Sequence, residues 1–256
     1  MTESEELILP KMRRLRFDWI FPIFFRPRRT LQEITSLHYG AWLVPLLLLT
    51  VLALAQAVIS GGARQTAVQT GQVELPSDFQ YWSQEQQQQY FEGQATYSGP
   101  LFTTVFPAAA GLAQVWMGWV VLGGILYLAL TMSGSRGGMA QALNLAAWSS
   151  MPLALRHLVQ TASVLLTNTN IHAPGLSGFA PAGSAFLGAL LALFDLYFVW
   201  QFVLLLVGAR AGTGLSPAKA TTAVLFSFLI AWALFTLPGF FLNQLSGLSF
   251  IRPFLF

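Results

Sequence analysis

Long uninterrupted runs of apolar residues alternate with polar segments along this chain. The runs cover residues 41–60, 107–132, 142–167, 184–208 and 219–241 and hold 20 to 26 residues each. At about 1.5 Å per helical residue, each run reaches across a hydrocarbon core of roughly 30 Å. The runs are continuous rather than alternating, and open sheet edges cannot face lipid, so they favour helices. The pattern predicts an all-α, polytopic membrane protein whose membrane domain, 41–241, is a bundle of five transmembrane helices.

The polar segments divide the remainder of the chain. Residues 1–14 are predicted to be a disordered cytoplasmic tail, and residues 242–256 an extracytoplasmic tail. Residues 15–40, called the arm below, are predicted to be a basic-aromatic, amphipathic interfacial segment. Residues 61–100 are predicted to be an exported loop, which contains ten Gln. A short helix on the membrane surface and plain low-complexity sequence both account for its four adjacent glutamines.

Composition excludes several classes of protein. Hydrophobic residues make up 55% of the chain and charged residues 9%, whereas a soluble domain carries about 25% charged residues. This chain has too little charge to cover a water-exposed surface, which excludes a soluble globular enzyme, a disordered protein and a free nucleic-acid binder. The chain has no Cys, so disulfides, thiolate catalysis and cysteine-ligated metals are excluded as well.

Basic residues are distributed unevenly between the two sides that five spans define. Seven Lys and Arg in the first 29 residues, and three more in the turns 133–141 and 209–219, fall on one side, against two on the other. Cytoplasmic segments carry the excess of Lys and Arg in membrane proteins. The count predicts a multi-pass protein of the cell membrane (plasma or inner) with a cytoplasmic amino terminus and an extracytoplasmic carboxyl terminus.

The arm combines basic and aromatic side chains in a stretch too short to cross a bilayer. Aromatic rings at headgroup depth, beside arginines that reach phosphates, are typical of an interfacial anchor. The anchoring residues would be Phe17, Trp19, Phe21, Phe24 and Phe25, and the contacts with an anionic lipid leaflet would come from Lys11, Arg13, Arg14, Arg16, Arg26, Arg28 and Arg29. A structural arm that docks on the bundle without lipid specificity is the alternative.

Two opposite charges lie inside the predicted spans. Without a partner, each charged side chain at the bilayer centre would raise the free energy of membrane insertion by about 2.5–3.5 kcal/mol. Arg156 is 14 residues from the start of its span, and Asp195 is 13 residues from the end of the next one. These offsets place both charges about 20 Å from the same membrane edge. We therefore hypothesise an intramembrane Arg156–Asp195 ion pair.

The spacing of neighbouring residues supports this pairing. A polar stripe at helical spacing must turn inward in lipid, and small residues let helices approach closely. The stripe on the third span comprises Ser149, Gln160, Ser163 and Thr167, and the small residues on the fourth are Ser184, Gly188 and Ala192. Three interpretations of these two charges stay open. They are a structural pair that fixes helix register, a polar pathway or ligand-anchoring site, and an unpaired Arg156 that reaches outward.

Motifs of known catalytic chemistry are absent from the sequence. HExxH, GxSxG and the P-loop do not occur, and only one aspartate is embedded in a span. His157 has no second ligand nearby, because His38 and His172 fall on opposite sides of the predicted topology. No catalytic, cofactor-binding or metal-binding residue is predicted, and the protein is not expected to be an enzyme.

Five short motifs carry a resemblance to a known family. They are RPRRTLQEI at 26–34, GSRGG at 134–138, AWSSMP at 147–152, FDLYFVW at 194–200 and GLSPAKA at 214–220. In this order and spacing, over residues 18–245, the chain resembles the Yip family (Ypt-interacting proteins), as a bacterial-type member. The resemblance implies a five-span bundle with a cytoplasmic amino terminus. Eukaryotic members act in vesicle trafficking and bind small GTPases, a role we do not expect here because the cytosolic amino-terminal region is short.

These expectations lead to a hypothesis about function. The chain is expected to be a non-enzymatic multi-pass membrane protein of the Yip type that scaffolds or assists a membrane complex, in membrane organisation or transport. The alternative is an accessory or permeating subunit of a transporter, with a polar intramembrane path at Arg156 and Asp195. The expected partners are anionic membrane lipids and a membrane protein, with no nucleic acid and no cofactor; a homo-oligomer stays open.

The predicted orientation can be tested with reporter fusions. A reporter fused at residue 85 is expected to read as exported and one at residue 213 as cytoplasmic, because ten of the basic residues lie on the side of residue 213. Alkaline phosphatase and fluorescent-protein activities measure the two locations. The same location for both fusions would contradict the topology.

Overall fold

The computed structural model describes residues 15–69, 79–167, 171, 174–181 and 184–246, and every regular element in these ranges is a helix. The helices are α1 (Pro22–Phe25), α2 (Pro27–Thr35), α3 (Leu43–Gln69), α4 (Gln84–Tyr97), α5 (Phe106–Met132), α6 (Met139–Ser149), α7 (Met151–Thr167), α8 (Ala185–Ala192), α9 (Leu196–Gly212) and α10 (Pro217–Ser246). Short 3-10 turns lie at Phe17–Trp19, Phe79–Tyr81 and Ser177–Phe179, and a π-helical segment, Leu101–Val105, leads into α5.

Three helices form the long members of the bundle. α3 packs against α5 and α7, and α10 packs against α5, α8 and α9. α2, from the arm, lies against α6 and α9. The all-α membrane fold expected from the sequence is thereby confirmed.

The described helices give fewer candidate membrane spans than the five predicted. The segments Leu43–Ala67, Leu101–Met132 and Pro217–Leu237 are continuous helices long and apolar enough to cross a membrane. The pair Phe186–Ala192 and Leu196–Gly212 passes the same test only together, with a bend of 66° between its halves. The described residues thus hold three candidate spans, or four if the bent pair counts as one, and the predicted count of five is not confirmed.

The predicted third span, 142–167, is divided at Ser150. The Ser149 and Ser150 hydroxyls both donate to the Ala146 carbonyl, at 3.0 and 2.8 Å. Pro152 follows and has no N–H to donate. Side-chain competition for the helix carbonyls and a missing donor are known causes of a helix break, so α6 and α7 are separate helices.

The segment predicted as an exported loop, 61–100, is largely helical where it is described. α3 continues to Gln69 instead of ending near residue 60. The adjacent glutamines lie within α4, so they belong to a helix. Phe79 contacts Tyr90 and Phe91 with ring centroids 5.6 Å apart, which connects α4 to the turn before it. At the other end of the chain, α10 continues to Ser246, past residue 241, where the predicted fifth span ends.

One face of the arm is part of the protein core. Trp19, Ile23, Leu31 and Ile34 are buried, and the Trp19 ring meets Trp148 edge-on at 5.5 Å. The opposite face carries Phe17, Phe21 and Phe25, which are 63%, 73% and 80% exposed, and Phe24 is half-buried against Trp200. The arm is therefore docked through one face and presents aromatic rings to its surroundings on the other.

Polar side chains on α6 hold the segment that joins the arm to α3. The Asn144 Oδ1 accepts from the Ala41 N–H at 2.7 Å, and its Nδ2 donates to the Tyr39 carbonyl at 2.9 Å. The Trp148 indole donates to the Ala41 carbonyl at 3.0 Å. Gln141 Nε2 donates to the carbonyls of Thr35 and Gly212, both at 2.9 Å. The Asn144 and Trp148 bonds thus satisfy backbone groups of the non-helical stretch before α3, and the Gln141 bonds satisfy carbonyls at the ends of α2 and α9.

α2 approaches α9 at two glycines. A Cβ built on Gly208 would lie 3.2 Å from the Leu31 Cβ, and one built on Gly212 would lie 2.5 Å from the Thr35 Cβ. A Cβ built on Gly188 would meet no atom within 4 Å. The close packing that small residues permit therefore occurs at Gly208 and Gly212, near the end of α9, and Gly188 of the predicted row does not contribute to it.

Alanine substitutions compare Gly212, which is in close contact with Thr35, with Gly188, which has no close neighbour. We expect Gly212→Ala to reduce the free energy of unfolding by about 1–3 kcal/mol more than Gly188→Ala, because overpacking typically costs that much. Gly188 lies inside α8 and Gly212 is the last residue of α9, so Gly188→Ala gains helix propensity without a clash and the expected difference combines that gain with the clash at Gly212. Thermal unfolding in detergent micelles measures it, and equal stability of the two variants would contradict the packing of α2 on α9.

Candidate functional site

Arg156 on α7 and Asp195 between α8 and α9 are in contact. Arg156 Nε lies 2.9 Å from Asp195 Oδ2, and the two side chains are 15% and 17% exposed. The Nε–H group forms no hydrogen bond within the described part of the chain, so the contact is an ion pair without a well-aligned hydrogen bond. The two charges neutralise each other inside the bundle.

Asp195 also begins a helix. Its backbone is extended, with φ −142° and ψ −178°, and its Oδ1 accepts from the Phe198 N–H at 2.9 Å. An Asp in this position satisfies one of the free N–H groups at the first turn of α9. The predicted fourth span, 184–208, is therefore two helices, because its one acidic residue caps the second of them.

Three carbonyl groups at the end of α8 accept hydrogen bonds from outside this helix. Arg156 Nη2 donates to the Ala192 carbonyl at 3.3 Å, and the Trp232 indole of α10 donates to the Leu190 carbonyl at 3.2 Å. The Leu191 carbonyl accepts from the Leu176 N–H at 2.9 Å and from the Phe194 N–H at 3.1 Å. Broken helices are tolerated in membranes only where the protein satisfies the freed backbone groups. Here an Arg, a Trp and a loop N–H do so.

The loop that provides the Leu176 N–H also requires a glycine. Gly175 has φ +60°, a conformation that other residues rarely adopt. A Cβ at this position would lie 2.6 Å from the Ala192 carbonyl oxygen and 2.7 Å from that of Leu191. Gly175 thus lets the loop backbone approach the end of α8 closely.

A cavity of about 520 Å³ opens beside the broken helix. Its walls come from α3, α5, α7, α9 and α10, and Ala192, Leu193 and Pro174 contribute from the break and the loop against it. On α3 the lining changes along the helix, from Gln56, Ser60 and Arg64 at a polar end to Leu46 and Leu49 at an apolar end. The other polar lining residues are Gln114, Ser150, Arg156, His157, Gln160 and Gln201, and further apolar ones include Trp119, Leu122 and Phe228.

Part of the polar end is already hydrogen-bonded. Gln56 Nε2 donates to Gln160 Oε1 at 2.9 Å, and Gln56 Oε1 contacts His157 Nδ1. Elsewhere in the lining, Gln201 Nε2 donates to the Ser150 hydroxyl at 2.8 Å. These groups join α3 to α7, and the junction of α6 and α7 to α9, across the cavity wall.

Three polar side chains of the cavity differ from these. Ser60, Arg64 and Gln114 line it, and within the described ranges their side chains form no hydrogen bond or ion pair. Arg64 is half-buried and follows Gln56 and Ser60 at steps of four residues, so the three share one face of α3. The cavity therefore offers an unpaired guanidinium, a hydroxyl and an amide to a ligand.

The residues of the predicted polar stripe and of the predicted small-residue row lie in different environments. Ser149 is buried and bonds to its own helix, Gln160 lines the cavity, Ser163 is half-buried, and Thr167 is exposed. Ser184 precedes α8 and accepts from the Gly188 N–H through its carbonyl. Ala192 contributes the carbonyl that Arg156 binds. Gln160 and Ala192 are thus brought to the cavity, whereas Thr167 and Ser184 are not.

The basic residues predicted to contact lipid fall into three groups. Lys11, Arg13 and Arg14 lie outside the described residues. Arg16 bonds to the Asp18 carboxylate at 2.8 Å and stacks on Trp19 at 3.8 Å, and the hydrogen bond raises the pKa of the Arg16 guanidinium above its ordinary value. The remaining three, Arg26, Arg28 and Arg29, are exposed. Arg29 Nε pairs with Glu33 Oε1 at 3.1 Å.

Gln56, Arg64 and Gln114 line the cavity but were not predicted as site residues. Arg64 was assigned to the exported loop because the first span was expected to end near residue 60. The spacing Gln56–Ser60–Arg64 is the signal that would have extended the helix, since a polar row at steps of four lies on one helix face. His157 lines the cavity, and no group of three His, Asp or Glu suited to a metal ion occurs in the described part.

The fold and the cavity define a class, the multi-pass α-helical membrane protein with a polar cavity inside its bundle. A family model, the Yip1 domain, matches residues 21–239, from the arm to α10. The chain belongs to the Yip1 family, as the motifs indicated. No curated protein and no solved structure matches the chain.

The ion pair and the helix cap can be separated by substitution. Asp195→Asn keeps an oxygen for the Phe198 N–H but leaves Arg156 without a counter-charge, and we expect a loss of about 3–5 kcal/mol in unfolding free energy. Adding Arg156→Gln should restore part of this loss, which a double-mutant cycle measures as a coupling energy. Unfolding in mixed micelles with increasing SDS provides the free energies.

A control variant isolates the cap. Asp195→Leu removes the capping oxygen as well, and we expect it to cost about 0.5–2 kcal/mol more than Asp195→Asn. If Asp195→Asn were as stable as the parent protein, the charge on Asp195 would have no part in holding α7 to the broken helix.

Proposed function

We propose that this chain is a non-enzymatic membrane protein that takes part in transport, as an accessory or permeating subunit that accommodates an amphipathic molecule in its cavity. The observation that carries this proposal is the cavity beside the α8–α9 break, whose α3 wall is polar at Gln56, Ser60 and Arg64 and apolar at Leu46 and Leu49. Ligand and ion sites of membrane transporters commonly form where broken helices meet at mid-membrane.

The path would follow the polar wall that begins at the Arg156–Asp195 pair. The pair keeps the break in place and is itself neutral, so it leaves the cavity side open to a ligand. Gln160 and Gln114 stand on α7 and α5, on different walls of the cavity. A polar wall of this kind lowers the cost of moving a headgroup through hydrocarbon.

Scaffolding of a membrane complex is the second candidate function. It is favoured by the exposed rings of Phe17, Phe21 and Phe25 on the outer face of the arm, since exposed aromatic patches mark membrane or protein contacts. The exposed Arg26, Arg28 and Arg29 suit an anionic lipid leaflet. In this proposal the arm lies on the cytoplasmic side of the cell membrane, in agreement with the basic-residue count.

The transport proposal predicts movement of a lipid-like probe across a bilayer. Proteoliposomes are expected to move radiolabelled lysophosphatidylglycerol between leaflets faster than empty liposomes, with the outer-leaflet fraction extracted by albumin. Gln114→Leu is expected to slow this movement about two- to tenfold, the effect of one lost polar contact. Gln114 has no hydrogen-bond partner in the described chain, so its replacement removes no structural bond.

Gln89→Leu is the matched control for this measurement. Gln89 is exposed on α4 and does not line the cavity, so the variant should match the parent protein. Equal rates for the parent protein and empty liposomes, together with a stoichiometric partner that co-purifies in gentle detergent, would contradict transport and support the scaffold.

A further inference from the structure

We propose that the cavity binds a single-chain amphiphile through an anionic oxygen headgroup, with Arg64 as the residue that binds the anion. The inference rests on the proposed transport function and deepens it by naming the class of ligand. It is carried by the charge of the cavity, by the donor beside Arg64 and by the change from polar to apolar lining along α3.

The first step is the charge of the cavity. Two arginines line it, and none of its described lining residues is Asp or Glu. Arg156 is neutralised by Asp195 at 2.9 Å, whereas Arg64 has no counter-charge in the described part of the chain. A guanidinium inside a membrane protein is costly unless an anion compensates it. A bound anion would supply the missing charge.

The second step is the donor beside this guanidinium. Ser60 lies one helical turn before Arg64 on α3, and its side chain is also without a hydrogen bond among the described residues. Gly111 of α5 faces Ala53 and Trp116 bonds to Thr50, so Gln114 lies level with the middle of α3, several turns from Arg64. A planar guanidinium binds phosphate or carboxylate through paired N–H groups, and a hydroxyl adds a neutral donor to the remaining oxygens.

The third step is the shape of the remaining space. From Arg64, the α3 wall continues through Gln56 and Ala53 to Leu49 and Leu46, so the lining changes from polar to apolar along one helix. An acyl chain would occupy the apolar part while its headgroup remains at Arg64. About 520 Å³ is the volume of a site for a drug-sized molecule, which favours one acyl chain over the two of a common phospholipid.

Binding of defined lipids to the intact protein tests this inference. Native mass spectrometry from a neutral detergent provides dissociation constants for lysophosphatidylglycerol, whose headgroup is anionic, and for lysophosphatidylcholine, whose headgroup is zwitterionic. We expect lysophosphatidylglycerol to bind about tenfold more tightly to the parent protein, the effect of one charge-assisted hydrogen bond. Inorganic phosphate at the same concentration is expected not to displace it, because phosphate lacks the chain.

Arg64→Gln is expected to remove this preference, so that the two lipids bind equally. Arg136→Gln is the matched control, because Arg136 is exposed in the turn after α5 and does not line the cavity; it should retain the preference. Arg64 has no structural partner in the described chain, so Arg64→Gln should unfold at the same temperature as the parent protein or higher. Ser60→Ala is a second variant, expected to weaken lysophosphatidylglycerol binding about two- to tenfold.

Three results would overturn the inference: equal binding of the two lipids to the parent protein, an unchanged preference in Arg64→Gln, or displacement of the lipid by inorganic phosphate. The last would make the cavity a site for small anions. The outcome is separable from that of the transport measurement. Selective lipid binding without lipid movement between leaflets supports this inference and contradicts transport. Lipid movement without headgroup selectivity supports transport and contradicts this inference.

Discussion

Backbone hydrogen bonding at the α8–α9 break is the constraint on which the rest of this structure depends. Hydrocarbon offers no donor to a free carbonyl and no acceptor to a free N–H, so a helix that stops inside a membrane must be completed by other parts of the protein. Asp195 completes the beginning of α9, and Arg156 completes the end of α8 while pairing with Asp195. One guanidinium thereby satisfies a backbone group and a carboxylate, and it ties α7 to both halves of the broken helix.

The cavity lies beside the same break. Ala192 and Leu193 at the break line the cavity, together with side chains from α3, α5, α7, α9 and α10. Asp195 neutralises one of the two arginines there, which leaves the charge of Arg64 without compensation in the described chain. The contact that stabilises the break thus also determines which cation is available to a ligand.

Several features of the site were accessible from the sequence because they depend on counting residues along a helix. Arg156 and Asp195 were placed at one depth from their distances to the span ends, and the structure has them in contact. The break beside Asp195 was missed because the apolar run continues through it, although Asp before an apolar run is also a helix-start signal. The arm was left with two interpretations, and the structure gives its two faces different environments, since Trp19 and Ile23 are buried and Phe21 and Phe25 are exposed.

The sequence by itself determined the class of protein. With 9% charged residues and long apolar runs, the chain has no stable state except helices in lipid. Charge content and hydrophobicity are sums over individual residues, so they can be read without a structure. Family membership followed from short motifs that a linear chain displays in full. Tertiary structure alone decided where helices end, which glycines permit contact, and that Arg64 shares a cavity with Gln114. Each of these depends on which groups from distant segments meet, and no local pattern along the chain encodes those distances.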